Sequence, residues 1–132
     1  MSLNDEERSI MVEHERQKAR QTFAQAISLF RDGFWDGVAN RLYYASYHAV
    51  NAILIRDGYN VRTHNGASSL FRQLYIKTDI LPVQVSEHYS LLQTMREKAD
   101  YNCSFDATRE LIEPLIEPTR QLIDSILKLV EE

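Results

Sequence analysis

The sequence predicts an all-α protein, an up-and-down antiparallel bundle of four to five helices, and three observations carry that prediction. Glycine and proline are scarce, four and three in 132 residues, which leaves little material for the turns of an all-β fold. Apolar residues recur at three- and four-residue steps over long stretches, the period of a helix face. The stop signals Asp32-Gly33 and Asp57-Gly58 fall at the ends of two such stretches. With 44% hydrophobic residues the chain is long enough for one core and too short for two. Residues 1–132 therefore read as a single domain, with a charged helical extension over residues 1–15.

The first helix is expected from about Asp5 to Arg31, with Ala19, Phe23, Ile27 and Phe30 on its apolar face. The second is expected from about Trp35 to Arg56, where Val38, Leu42, Ala45, Ala49, Ala52 and Ile53 form a stripe whose alanines admit a close neighbour. Tyr59 to Asn65 is polar and irregular, and a shorter helix is expected from about Gly66 to Lys77, around Leu70 and Leu74. Thr78 to Pro82 reads as a connector. Pro82 suits the start of a fourth helix reaching about Tyr101, with Val85, Tyr89, Leu92, Met95 and Ala99 inward. Asn102 to Phe105 breaks the pattern. Asp106 then reads as the N-cap of a last helix with Leu111, Leu115, Leu122, Ile126 and Leu129 inward. Pro114 and Pro118 each remove a backbone donor, so this helix is expected as one kinked element or as a turn before a restart at Pro118.

Composition excludes several classes of function. No apolar run approaches the roughly 20 residues of a membrane span, and the single cysteine, Cys103, forms no internal disulfide, so the cytoplasm is the expected compartment. The net charge of −4 argues against a general nucleic-acid-coating protein. That charge is unevenly placed: residues 106–132 carry three basic and seven acidic side chains, residues 33–105 seven basic and six acidic. A local basic site in the middle of the chain is therefore compatible with the total. Eleven of the fifteen basic residues are arginine, the type suited to forked hydrogen bonds with phosphate.

Site chemistry in a bundle sits on helix faces. The serines and Cys103 lie in no hydrolase motif, there is no glycine-rich phosphate loop, and His14, His48, His64 and His88 lack metal-ligand spacing. Neither a metal nor a cofactor is expected. Arg41 and His48 stand seven residues apart in the second helix, so their side chains leave one face roughly 10 Å apart, with Tyr44 between them. Arg96 and Asp100 stand four apart in the fourth helix, next to Tyr101. If these two helices are neighbours, Arg41, Tyr44 and His48 form one wall of a polar cluster and Arg96, Asp100 and Tyr101 the other. The alternatives are an ordinary Arg96–Asp100 surface pair and a core imidazole at His48.

Three segments in this order carry a family resemblance: Arg41-Leu42-Tyr43-Tyr44-Ala45-Ser46-Tyr47-His48-Ala49, Thr63-His64-Asn65-Gly66, and Met95-Arg96-Glu97-Lys98-Ala99-Asp100-Tyr101. Together they resemble the landmarks of small stand-alone HEPN proteins, over the region from about Ala19 to Val130. The resemblance implies a HEPN-like bundle, a homodimer, and a minimal nucleotidyltransferase protein as partner. It also implies RNA or a nucleotide as ligand, in a toxin–antitoxin or defence system. Many members act as metal-independent endoribonucleases through an arginine and a histidine with four to six residues between them in a late helix. RNA carries its own nucleophile, the ribose 2′-hydroxyl, so such a site need only move protons and stabilise charge on phosphorus.

Arg41 and His48 match that spacing but lie in the second helix, whereas Arg96, at the usual place, has no histidine after it. Arg41, His48 and Arg96 are thus the candidate catalytic residues, and Tyr44, His64, Asp100 and Tyr101 the candidate ligand contacts. The functional alternatives are an active ribonuclease, a silent partner of a nucleotidyltransferase, and a structural dimerisation module.

Overall fold

A computed structural model describes residues 3–132; the first two residues of the expected N-terminal extension lie outside the described residues. Five helices follow one another: α1 (Asp5–Arg31), α2 (Trp35–Arg56), α3 (His64–Phe71), α4 (Val83–Tyr101) and α5 (Arg109–Glu131). The described residues contain no strand.

Helix α1 begins at a capping box, in which the Asn4 side chain accepts from the Glu7 amide while Glu7 reaches back to the Asn4 amide. It ends at Gly33, whose φ of +78° suits a residue without Cβ. The Gly33 amide donates to Phe30 O and the Phe34 amide to Leu29 O, the paired bonds of a Schellman stop. Gly58, at φ +91°, ends α2 in the same way, with Gly58 N bonded to Ile55 O and Tyr59 N to Leu54 O. Both Asp-Gly signals therefore act as the sequence predicts.

Helix α2 is the centre of the bundle, packed by α1, α3, α4 and α5. All of its expected stripe is buried, and so are Ala39, Tyr43, Ser46, Val50 and Leu54 on its flanks. A helix buried on more than one side needs neighbours all round, which α4 and α5 supply with Val85, Tyr89, Leu92, Leu115, Leu122 and Ile126. On α1 the tightest contacts fall to Ala19, Thr22 and Ala26, while Phe23, Ile27 and Phe30 are only half-buried. Small residues let α1 and α2 approach closely, which pushes the aromatic rings to the rim.

Three sequence expectations are corrected. Helix α3 starts two residues early, because the Thr63 hydroxyl accepts from the Gly66 amide at 2.9 Å. Its continuation over Arg72–Ile76 is a π-helical turn, closed by Lys77 N on Arg72 O, and the buried Tyr75 within it reaches back to α2. Asp106 is not the cap of α5: Phe105 and Ala107 pack against the core, and Thr108, in extended conformation, accepts from Leu111 N. Leu111, expected in the core, is 46% exposed, and Ile112 is buried in its place. Of the two expectations for α5, the single element is the one observed: the helix runs from Arg109 to Glu131 through Pro114 and Pro118, both on its exposed face, with no turn or restart at Pro118.

Candidate functional site

The helical repeat brings Tyr43, Tyr44 and Tyr47 to the side of α2 that meets α4 and the start of α3. On α4, Tyr89 and Arg96 are seven residues apart and so share a face. His64, the first residue of α3, closes the third side. A Cβ on Gly66 would lie 2.7 Å from Thr63 Oγ1 and 2.9 Å from Val61, so the cap that sets His64 in place closes over glycine.

The core of the site is aromatic. Tyr43 is fully buried, stacks on Tyr89 at 5.8 Å, and its hydroxyl lies 2.7 Å from His64 Nδ1. Tyr47 stacks on the His64 ring at 4.2 Å, and Tyr44 meets the same ring edge-on at 5.7 Å. The imidazole is thus held on one face, at its edge and at one nitrogen. Burial, with the Arg96 charge second, moves the His64 pKa below its ordinary value, so at neutral pH the ring is uncharged. Burial likewise moves the Tyr43 and Tyr89 phenols upward and keeps them protonated.

Arg96 is the charge in this setting. It is 8% exposed, and its Cζ lies 4.9 Å from the Tyr43 ring centre, 5.6 Å from Tyr44 and 5.7 Å from Tyr101. Its one hydrogen bond within the described residues is long, from Nη1 to the Tyr101 hydroxyl at 3.4 Å, and its buried Nε has no partner. No carboxylate among the described residues pairs with it, and Asp100 instead accepts from Asn40 Nδ2 at 3.0 Å. Aromatic faces attract a guanidinium, yet they do not neutralise it. Tyr101, 76% exposed, covers the open side.

The two predicted walls meet at Tyr44. Its ring lies 5.7 Å from the Arg41 guanidinium and 5.6 Å from that of Arg96. Arg41 is held from below by Asn40 Oδ1, at 2.8 and 2.6 Å, and by Gln25 at 3.3 Å; Asn40 in turn bonds Asp100. Arg41, Tyr44, Arg96, Asp100 and Tyr101 therefore form one connected group, with His64 joined to it through Tyr43.

His48 lies elsewhere. Its Nδ1 pairs with Glu15 of α1 at 2.7 Å, and it meets the cluster only beside Tyr47, ring centres 6.0 Å apart. Arg41 and His48 do share the face their spacing dictates, as the Gln25 and Glu15 contacts on α1 attest. That face is turned toward α1, whereas the neighbouring face, with Tyr43 and Tyr47, looks onto Arg96. Sequence reasoning read Tyr89 as packing; its seven-residue spacing from Arg96 was the available signal that it belongs to the site.

Among the described residues no group of three His, Cys, Asp or Glu side chains is placed to hold a metal ion, and no helix is long and apolar enough to cross a membrane. The fold and site define a class: a small helical bundle with a cationic, tyrosine-lined cluster where its second, third and fourth helices come together. Residues 12–130 match the HEPN domain family, and the chain belongs to that family. It is 25% identical over 130 residues to a UPF0332 protein of Thermotoga maritima, covering 98% of this chain and 97% of that protein. It is also similar to two proteins of Methanocaldococcus jannaschii. One, named Putative toxin MJ0142, is 28% identical over 100 residues, 76% of this chain and 68% of that protein. The other, named Putative toxin MJ0605, is 25% identical over 114 residues, 86% of this chain and 84% of that protein.

Proposed function

We propose that this chain is a toxin-type HEPN module of a two-protein system, working as a homodimer with a minimal nucleotidyltransferase protein as its partner and engaging an RNA or nucleotide phosphate at Arg96. The observation that carries the ligand is the guanidinium itself. A cation that is nine-tenths buried, with no carboxylate and with a free Nε, is costly unless an anion completes it, and a phosphate oxygen suits its fork of donors. The half-buried Tyr44 and the exposed Tyr101 beside it supply ring surface for a base. The toxin names of two relatives support the system, and family membership supports the dimer and the partner.

Binding of a fluorescent RNA oligonucleotide to the purified protein tests this reading. Arg96→Met is expected to weaken binding at least tenfold and His48→Ala to leave it unchanged, because His48 is occupied by Glu15. Equal affinity for the parent protein and the Arg96 variant would end the assignment. Light scattering at micromolar concentration checks the dimer.

A second reading, metal-independent endoribonuclease, is favoured by one further observation: a neutral histidine, His64, stands beside the phosphate-seeking arginine. The test is incubation with total RNA in the presence of a chelator, where discrete cleavage by the parent protein and none by Arg96→Met supports it.

A further inference from the structure

We propose that His64, delivered from the first turn of α3, is the proton acceptor for the ribose 2′-hydroxyl, taking the place of the histidine that does not follow Arg96 in α4. This inference rests on the ribonuclease reading and assigns the residue that reading lacks. A general base must present an unprotonated nitrogen to the reacting hydroxyl, hold a fixed orientation and sit next to the group that binds the phosphate. His64 meets all three conditions. In the tautomer whose Nδ1–H donates to the Tyr43 hydroxyl oxygen, 2.7 Å away, Nε2 carries the lone pair, and no other described residue occupies it. The Tyr47 ring, stacked at 4.2 Å, and the Tyr43 ring fix the plane. Arg96 lies over the same Tyr43 ring at 4.9 Å, so a phosphodiester on the guanidinium brings its ribose to the histidine. His48 fails the third condition, since it pairs with Glu15 of α1 and meets the cluster only beside Tyr47.

In the step itself, Nε2 of His64 takes the 2′-hydroxyl proton as the 2′-oxygen bonds to phosphorus and the bond from phosphorus to the 5′-oxygen breaks. The leaving 5′-oxygen takes a proton from water, and the imidazolium returns its proton to the hydroxide so formed. The products are a 2′,3′-cyclic phosphate and a 5′-hydroxyl end. Arg96 compensates the charge gathering on the phosphoryl oxygens. Tyr43 acts as a positioning residue.

The titratable and charged groups facing His64 are the phenols of Tyr43, Tyr44 and Tyr47 from α2 and the guanidinium of Arg96 from α4. The base must be neutral, and burial together with Arg96 disfavours the imidazolium. The acid limb of the cleavage rate is therefore expected below about pH 6.5, the ordinary histidine value, with activity rising as pH rises through it.

The experiment uses the full chain and a single-stranded RNA without metal. His64→Ala is expected to slow cleavage about 10²- to 10⁴-fold, to keep oligonucleotide affinity within a factor of three, and to recover rate on addition of imidazole. His64→Gln, closer in size, provides the same readout if the alanine variant does not fold. Tyr43→Phe is expected to move the acid limb and lower kcat while leaving KM unchanged. Cleavage by both His64 variants at the parent rate overturns this assignment and leaves the ribonuclease reading standing on another base. Absence of cleavage by the parent protein overturns the assignment and that reading together, and leaves phosphate binding at Arg96 to be judged by the affinity measurement alone.

Discussion

Two clusters on α2, about 20 Å apart by the helical rise between Tyr43 and Arg56, are built from the same residue types and come to opposite results. At the C-terminal end of the helix, Arg56 and Tyr75 share a carboxylate. Arg56 donates from Nε to Asp57 at 2.9 Å and from Nη1 to the Leu129 carbonyl of α5, while the Tyr75 hydroxyl donates to Asp57 and lies 3.3 Å from Ile53 O. Those donors have acceptors, and the network ties α2 to α5 and to the π-helical turn. Around the middle of the helix Arg96 and its tyrosines have no carboxylate, and the Arg96 Nε and the Tyr89 hydroxyl are buried without partners among the described residues. A closed network stabilises the fold, and an open one waits for a ligand. The difference lies in one missing anion, which is why the second cluster, and not the first, reads as a site.

Phe71 links the two regions, with its ring 5.6 Å from Tyr75 and 6.2 Å from Tyr89. Phe71→Ala is expected to cost about 3–5 kcal/mol by urea denaturation and to weaken RNA binding as well. A loss of stability with binding intact would show that the two clusters are mechanically independent. Next in size, Asp57→Ala opens the closed network and is expected to cost about 1–2 kcal/mol, the lower part of the usual range because the side chain is 31% exposed. No change would mean that the network is ornamental.

The alkaline titration separates the clusters in another way. Burial, reinforced by the Asp57 carboxylate, moves the Tyr75 pKa above the ordinary phenol value of 10.0. The folded protein therefore holds a proton that the unfolded chain releases near pH 10, so this contribution to stability is complete below about pH 10 and declines as pH rises above it, by up to about 1.4 kcal/mol per pH unit. Tyr75→Phe should flatten that decline, and an unchanged slope would place the titration at Tyr89 and Tyr43, which burial moves in the same direction. The smallest expected effect on stability is that of Arg96→Met, between no change and a gain of about 1 kcal/mol, together with lost RNA binding. A strong destabilisation would mean that the arginine is structural after all.

Much of the fold is legible in the residues. The two Asp-Gly stops, the alanine-rich stripe of α2 and the apolar face of α4 need only local rules, because each concerns neighbours on one helix or the turn that ends it. The errors share a cause. Asp106 and Thr108 are both good caps, and the choice between them was made by the packing of Phe105 and Ala107 against other helices. The wide turn at Arg72–Ile76 depends on where Tyr75 finds acceptors on α2.

The site divides along the same line. The sequence by itself determined the class of fold, the family, the arginines at positions 41 and 96, and the faces on which their neighbours stand, since helical periodicity is a local property. Only the tertiary structure decided which histidine meets Arg96. His48 is seven residues from Arg41 and shares its face, but α1 covers that face and supplies Glu15. His64 is 32 residues from Arg96 along the chain, and it reaches the cluster because α3 begins where α2 and α4 pass each other, with Tyr43 holding its ring. Which faces of a helix become buried, and against what, is a property of the assembled bundle.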